Sequence, residues 1–474
     1  DIADEDLIPQ REMVVTLTNG GYIKTQPTTD YQAQRRGGRG KQAAATKDED
    51  FIETLFVANT HDYLMCFTNL GKCHWIKVYK LPEGGRNSRG RPINNVIQLE
   101  EGEKVSAILA VREFPEDQYV FFATAQGMVK KVQLSAFKNV RSQGIKAIAL
   151  NEGDYLIGAS RTTGSDDVML FSNLGKALRF SESNDEVIKQ LVELYEPFIH
   201  RFNERSRANN GVISELLLGN EENSLEWDEE MEELLKPIIE FTSTFSREQK
   251  IKVATIVVNG RPNDIHQHDY EDNEQEDYCT YDENVYGDVN EYFEKIIRRP
   301  STYSYLKKAN NGVRPSGRGS GGLRGMRLPA DGKIVSLITF APEAAQSDLQ
   351  VLTATANGYG KRTPIADYSR KNKGGQGNIA INTGERNGDL VAATLVSETD
   401  DLMLITSGGV LIRTKVEQIR ETGRAAAGVR LINLDEGEQL VSLERVAEEP
   451  EDASASDEEN TTESNVTTED NTPQ

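Results

Sequence analysis

The sequence predicts an all-β fold: six propeller-like blades closed into a ring, with a small α+β domain inserted in the fourth. Three observations carry that expectation. A short β-rich run, then Thr/Ser-x-x-Gly, then a second β-rich run recurs six times along the 474 residues, and self-similarity of this kind marks a repeat architecture. Glycine is plentiful at 39 residues while aromatics make up only 7%, which suits turn-rich sheets better than a helical body with a large aromatic core. The Thr/Ser positions 18, 68, 124, 172, 355 and 406 stand 50, 56, 48, 183 and 51 residues apart, so one unit has been split by an insertion.

In chain order, residues 1–12 form an acidic linker to an expected preceding part of a longer protein. The hairpins begin at Val14, Leu64, Val120, Val168, Val351 and Leu402, and their turns end at Gly21, Gly71, Gly127, Gly175, Gly358 and Gly409. β-Branched and aliphatic residues fill the flanks, and Asn or Gly supplies the positive-φ positions of a short hairpin. Each unit continues through a Gly-rich basic stretch. A turn such as Glu101-Gly102-Glu103, Glu152-Gly153-Asp154 or Glu436-Gly437-Glu438 then leads into a last apolar strand. Four strands make one blade, and a closed ring of blades leaves no long bare sheet edge. Blades one to three and the start of the fourth fall in residues 13–185; the remainder falls in 312–447.

The insertion, residues 186–311, changes texture from hairpins to helices. Leu191, Leu194, Tyr195 and Phe198 share one face at helical spacing. A second helix is expected from Leu225 to Phe245, with Ser224 as N-cap and a Glu-rich start that suits the helix dipole. A strand is expected over Ile251–Val258, ending in the turn Asn259-Gly260. Residues 448–474, acidic and poor in large apolar side chains, are expected to be a disordered tail.

The formal charge of −22 is unevenly placed. Counted on the sequence, residues 1–12 carry −4, the insertion −13 and the tail −10, so the ring itself is left at +5. A mildly basic body with acidic appendages points to a polyanion partner for the body. Three cysteines without a C-x-x-C exclude a disulfide framework and a structural zinc site. No apolar run reaches the ~18–20 residues of a membrane helix, so no membrane partner is expected, and the chain reads as cytoplasmic. Gly317-Arg-Gly319-Ser-Gly-Gly322 fits a dinucleotide fingerprint literally but lacks the strand and helix around it. Asp264, His266, His268 and Asp269 read as an exposed turn rather than a metal site, and no cofactor is expected.

Two features go beyond what folding demands. The second strand of every hairpin carries cations just past the turn: Lys24; Lys72, His74 and Lys77; Lys130 and Lys131; Lys176 and Arg179; Lys361 and Arg362; Arg413 and Lys415. Exposed strands often carry Lys or Arg to protect edges. Recurrence in all six units, however, makes a rim-wide belt suited to a phosphate backbone and indifferent to base sequence. The second feature is Gln34-Arg35-Arg36-Gly37-Gly38-Arg39-Gly40-Lys41, where glycines permit close backbone approach and guanidinium groups fork onto phosphate oxygens. Weaker echoes occupy the matching place in later units, including Arg89 and Arg91, and Arg324.

The heptad Gln34–Gly40 resembles the signature box of the DNA gyrase A protein, and the six repeats resemble that protein's C-terminal β-pinwheel. The resemblance covers residues 10–185 and 312–447. It implies a six-bladed β-pinwheel that bends duplex DNA around its rim with positive handedness, so that strand passage elsewhere in an A2B2 holoenzyme introduces negative supercoils. It also implies that Arg35, Arg36 and Arg39 tie the first blade to the last and hold DNA there. The partners it implies are duplex DNA, the gyrase A N-terminal part and the gyrase B protein, with this chain itself monomeric. The family's DNA-cleaving tyrosine and ATP-binding domain have no counterpart here, so the chain is expected to catalyse nothing by itself. Topoisomerase IV carries a similar domain with a degenerate box, and the intact heptad favours gyrase. A protein-interaction propeller with incidental surface cations is the rival reading. The family pattern has no insertion of this kind. Resemblance and electrostatics together suggest that the acidic tail tunes wrapping by covering cationic surface.

Overall fold

The structure is a computed structural model, and it describes residues 4–18, 20–28, 52–85, 88–139, 141–208, 228–260, 281–408 and 410–446. Unit one supplies β1 (Glu12–Thr18), β2 (Tyr22–Pro27) and β3 (Ile52–Asn59). Unit two supplies β4 (Tyr63–Thr68), β5 (Lys72–Lys77), the short β6 (Arg91–Pro92) and β7 (Val105–Val111). Unit three follows with β8 (Tyr119–Thr124), β9 (Met128–Gln133), β10 (Ile145–Lys146) and β11 (Leu156–Thr162). Unit four holds β12 (Asp167–Ser172), β13 (Lys176–Ser181), β14 (Leu323–Arg324) and β15 (Ile334–Phe340). Units five and six hold β16 (Gln350–Thr355), β17 (Tyr359–Pro364), β18 (Asn378–Ile379), β19 (Leu390–Val396), β20 (Asp401–Thr406), β21 (Leu411–Lys415), β22 (Val429–Arg430) and β23 (Leu440–Val446).

The hairpin motif has a local cause. In every unit the Thr or Ser hydroxyl accepts from the amide four residues on: Tyr22 N to Thr18 Oγ1 at 3.1 Å, Met128 N to Thr124 Oγ1 at 3.1 Å, Val410 N to Thr406 Oγ1 at 3.2 Å, and likewise at Thr68, Ser172 and Thr355. In the first five units the glycine between them sits at positive φ, 84° at Gly21 and 85° at Gly127 and Gly358, where a side chain would be strained.

The blades interlock. Each of the first five sheets has the order last strand, first, second, and then a short strand from the following unit, as in β3-β1-β2-β6 and, written from the other edge, β10-β5-β4-β7. Four strands per blade is thus correct in number, but the fourth comes from the next unit's Gly-rich loop. The sixth sheet, β21-β20-β23, has three strands among the described residues. Its last strand lies against β3 of the first unit, which closes the ring.

The first strand of each hairpin is apolar at most positions because both its faces are buried. On β4, Leu64 and Cys66 enter a core shared with unit one, while Met65 and Phe67 enter a core shared with unit three. On β8, Val120 and Phe122 face unit two, while Phe121 and Ala123 face unit four. The cores therefore lie between consecutive blades rather than inside each one.

The insertion corrects the α+β expectation. Its described residues form helices only: α1 (Glu186–Ala208), α2 (Glu229–Ser243), α3 (Arg247–Gly260), α4 (Glu283–Tyr286), α5 (Val289–Ile297) and α6 (Pro300–Ala309). The run Ile251–Val258 is helical within α3, because Val253, Ala254, Val257 and Val258 line a core with α1 and α5 and tertiary burial overrides β-propensity. The cap of α2 is Asp228, which accepts from Met231 N; Ser224 lies outside the described residues. The insertion has its own core around Leu191, Tyr195, Phe198, Leu235 and Phe293. Its two ends are clasped together, with Asp185 N donating to Asn310 Oδ1 at 2.7 Å and Gly312 N to Asn184 Oδ1 at 2.7 Å.

Candidate nucleic-acid interface

The strand cations do not form one exposed register. Lys130, Lys131, Lys361, Arg362 and His74 are buried, and each is committed inside the protein. Lys130 Nζ donates to Ala147 O, Arg318 O and Ser320 O at 3.0, 2.8 and 2.8 Å. Lys361 Nζ donates to Gly423 O at 2.8 Å and to Arg424 O. Lys131 lies 3.6 Å from the buried Glu182 carboxylate. Arg362 donates to Ile419 O at 2.6 Å and reaches Glu398. His74 Nε2 meets Glu103 Oε1 at 3.0 Å. Burial pushes Lys130 down to about 8 and, with Arg424 nearby, Lys361 down to about 7; Lys131 is lowered in the same direction by burial.

Others are partly exposed, or exposed in the case of Arg413 and Lys415, yet mostly engaged. Lys24 donates to Gly85 O at 3.2 Å and Ser88 O at 2.8 Å. Lys77 holds Glu5 at 2.9 Å and sits 3.9 Å over the Tyr63 ring, strapping the N-terminal segment to blade two. Arg179 pairs with the buried Asp167 at 2.7 Å. Lys72 pairs with Glu100, Arg413 with Asp401, and Lys415 lies 3.7 Å from Glu417. Lys176 is partly exposed. An alternating strand buried on both faces cannot present successive residues to water, and this geometry explains why the belt fails as a strand feature.

A set of cations lies on the Gly-rich loops that cross to the preceding blade, while others, among them Lys104, Arg112, Lys138, Arg161 and Arg386, stand exposed elsewhere on the ring. Arg89, stacked 4.0 Å over Tyr22, and Arg91 stand on the second unit's loop. Arg141 and Lys146 stand on the third, and Arg314, Arg324 and Arg327 on the fourth with the partly exposed Arg318. Arg370, paired with Asp167 at 2.7 Å, stands on the fifth with the partly exposed Lys371 and Lys373. Arg420 and Arg430 stand on the sixth with Arg424. Of these loop cations, sequence reasoning singles out Arg89, Arg91 and Arg324 as DNA-binding residues and Arg430 within a further echo of the box. The signal that finds the others is their position within the Gly-rich stretch rather than after the hairpin turn.

The loops seat at one register. An added Cβ at Gly90, Gly377 or Gly428 would meet a strand carbonyl, Ile23 O at 2.4 Å, Ala177 O at 2.6 Å and Gly360 O at 2.5 Å. Each carbonyl lies two residues past the hairpin glycine, so glycine is what lets the loop touch the strand. Neighbouring loops are also bonded to each other. Ala149 N donates to Ser320 O at 3.0 Å, Gly374 N to Gly325 O at 2.8 Å and Arg327 N to Gly375 O at 2.8 Å. Arg424 Nη1 donates to Ile379 O at 3.1 Å. From the third unit to the sixth the loops form a bonded girdle with cations on its outer side.

Gln34, Arg35, Arg36, Gly37, Gly38, Arg39, Gly40 and Lys41 lie outside the described residues, as do His266, His268 and the acidic tail. Among the described residues no His, Cys, Asp and Glu grouping could hold a metal, and no helix is long and apolar enough to cross a membrane.

Six interlocked sheets with a basic girdle define a β-pinwheel. The family profile described as DNA gyrase C-terminal domain, beta-propeller, matches residues 12–59, 62–112, 118–163, 166–184, 310–341, 350–397 and 400–447. The chain belongs to that family. Its matches stop at 184 and resume at 310, so the helical insertion stands outside the family pattern. The chain is 69% identical over 454 residues to the DNA gyrase A protein of Neisseria gonorrhoeae, covering 96% of this chain and 40% of that protein. It is 36% identical over 448 residues to the DNA gyrase A protein of Escherichia coli (strain K12), covering 94% and 36%. The chain thus spans about 40% of the relatives' length. In fold it is similar to the C-terminal domain of DNA topoisomerase IV (TM-score 0.55, 18% identity, 93% of this chain and 94% of that one). It is likewise similar to the DNA gyrase A C-terminal domain (TM-score 0.53, 20% identity, 92% and 100%).

Proposed function

We propose that this chain is the DNA-wrapping domain of a gyrase A protein, without catalysis of its own. On this reading duplex DNA follows the loop girdle, and the bend it imposes is converted to negative supercoils by strand passage in an A2B2 assembly with the gyrase A N-terminal part and gyrase B, in the cytoplasm. The observation that supports it best is the girdle itself: cations of successive units placed side by side on bonded loops, whereas five of the strand cations are buried. Bending a duplex smoothly costs on the order of 1–6 kcal/mol per short site, which many modest phosphate contacts along an arc offset better than one strong contact.

The strand exchange supplies a role for the heptad. In five sheets the following unit's Gly-rich loop provides the fourth strand, and the sixth sheet has three strands among the described residues. The unit that follows the sixth around the ring is the first, and its loop is the Gln34–Lys41 segment. Arg35, Arg36 and Arg39 then join the last blade to the first and carry the track across the seam.

Binding measured against salt tests the reading. The logarithm of affinity should fall steeply with the logarithm of salt, by about 0.9 per phosphate neutralised. A flat response, or no preference for long over short duplex, favours the protein-interaction propeller instead.

A further inference from the structure

We propose that Lys24, Lys130 and Lys361 are positioning residues for the duplex track, each gripping from the strand side the peptide groups of the loop that carries the next unit's arginines. The inference rests on the reading of the girdle as a DNA surface and adds the residues that hold its shape. The three lysines share one register, three residues after the hairpin glycines Gly21, Gly127 and Gly358. Each reaches a peptide group at or beside a loop arginine. Lys24 takes the carbonyl of Ser88, which is bonded to Arg89 N; Lys130 takes that of Arg318; and Lys361 takes that of Arg424. With the carbonyls fixed toward the strand, the loop side chains are left on the outside.

The chemistry argues against a purely stabilising role. A buried ammonium carries a desolvation cost that offsets part of what its bonds to the loop carbonyls contribute. An ammonium, however, donates three bonds from a single atom, and Lys130 directs all three to carbonyls. The other blades vary the device. His74 occupies the register in blade two, its ring 2.7 Å from where a Cβ on Gly144 would stand. In blade four the register holds Leu178, and the fifth unit's loop is held by Arg179 Nη1 on Tyr368 O at 2.9 Å and by Lys371 N on Arg179 O at 2.7 Å.

The test uses the full chain with Lys24→Met, Lys130→Met or Lys361→Met, and Lys24→Arg as the conservative control at the most exposed of the three sites. Amide exchange in the gripped loop, residues 83–91, 314–327 or 420–430, should rise at least about tenfold while hairpin strands keep their protection. The thermal midpoint should fall by no more than a few degrees, affinity for a short linear duplex should stay within about twofold, and the linking-number change on ligase closure of a bound circle should drop. Lys24→Arg should restore it. Unchanged loop exchange, or unchanged linking number in variants whose parent chain wraps DNA, overturns the proposal alone. A parent chain that leaves duplex unbound overturns the reading of the girdle and the proposal with it.

Discussion

A lysine at zero exposure, such as Lys361, is stabilised by its carbonyl partners and destabilised by lost hydration. The balance is visible in its pKa, which burial and then Arg424 lower to about 7, with Asp367 opposing. The unfolded chain holds that proton up to its ordinary value of about 10.4, so between about pH 7 and 10 the unfolded state binds more protons and folding stability rises with pH. Thermal melts across that window should show a rising midpoint whose slope is shallower in Lys361→Met than in the parent chain. A second single-residue prediction concerns Gly428, at φ 81° with Gly360 O only 2.5 Å from an added Cβ. Gly428→Ala should cost roughly 1–3 kcal/mol in urea unfolding and weaken the β22–β17 pairing. At this scale the sequence was half legible. Lys130 and Lys176 look alike on paper as post-turn cations, yet one is buried on three carbonyls and the other partly exposed. The difference is one of register, since Lys130 stands three residues past its hairpin glycine and Lys176 one, but that the third position receives a loop from the next unit is a contact the hairpin itself does not show.

Elements were read more securely than side chains. The Thr/Ser-x-x-Gly turns located every hairpin because hydroxyl, amide and glycine act within five residues. The exchanged fourth strand stayed hidden because two residues, such as Arg91–Pro92, carry too little pattern to reveal their partner. The strand expected at Ile251–Val258 failed for the opposite reason: a β-branched run was taken up by a helical core. Two predictions belong here. Replacing Arg318, Arg324 and Arg327 together by Ala should reduce the slope of log affinity against log salt by about 0.9 for each phosphate those side chains neutralise, while Lys131→Ala should act mainly on stability, leaving Glu182 buried without its cation. Excising residues 186–309 and joining Asp185 to Asn310 should leave pinwheel unfolding cooperative and near its original midpoint, because residues 184–185 and 310–312 are already bonded to each other and the excised helices have a core of their own. Calorimetry of the shortened chain checks it.

For the molecule as a whole, the charge pattern decides more than the total. A chain of net −22 still has a mildly basic ring, because its acidic excess is gathered at the ends and in the insertion, while exposed loop cations are spread round the closed ring. The central claim is that this girdle, completed at the seam by the heptad, forces duplex DNA into a handed wrap. Its most direct test is the linking number of nicked circles sealed by ligase with the chain bound, measured for the parent and for Arg35→Ala, Arg36→Ala, Arg39→Ala combined. The account predicts a positive shift for the parent and its loss in the triple variant with much of the binding retained. Circles that are demonstrably bound by the parent chain yet close with unchanged linking number would contradict it.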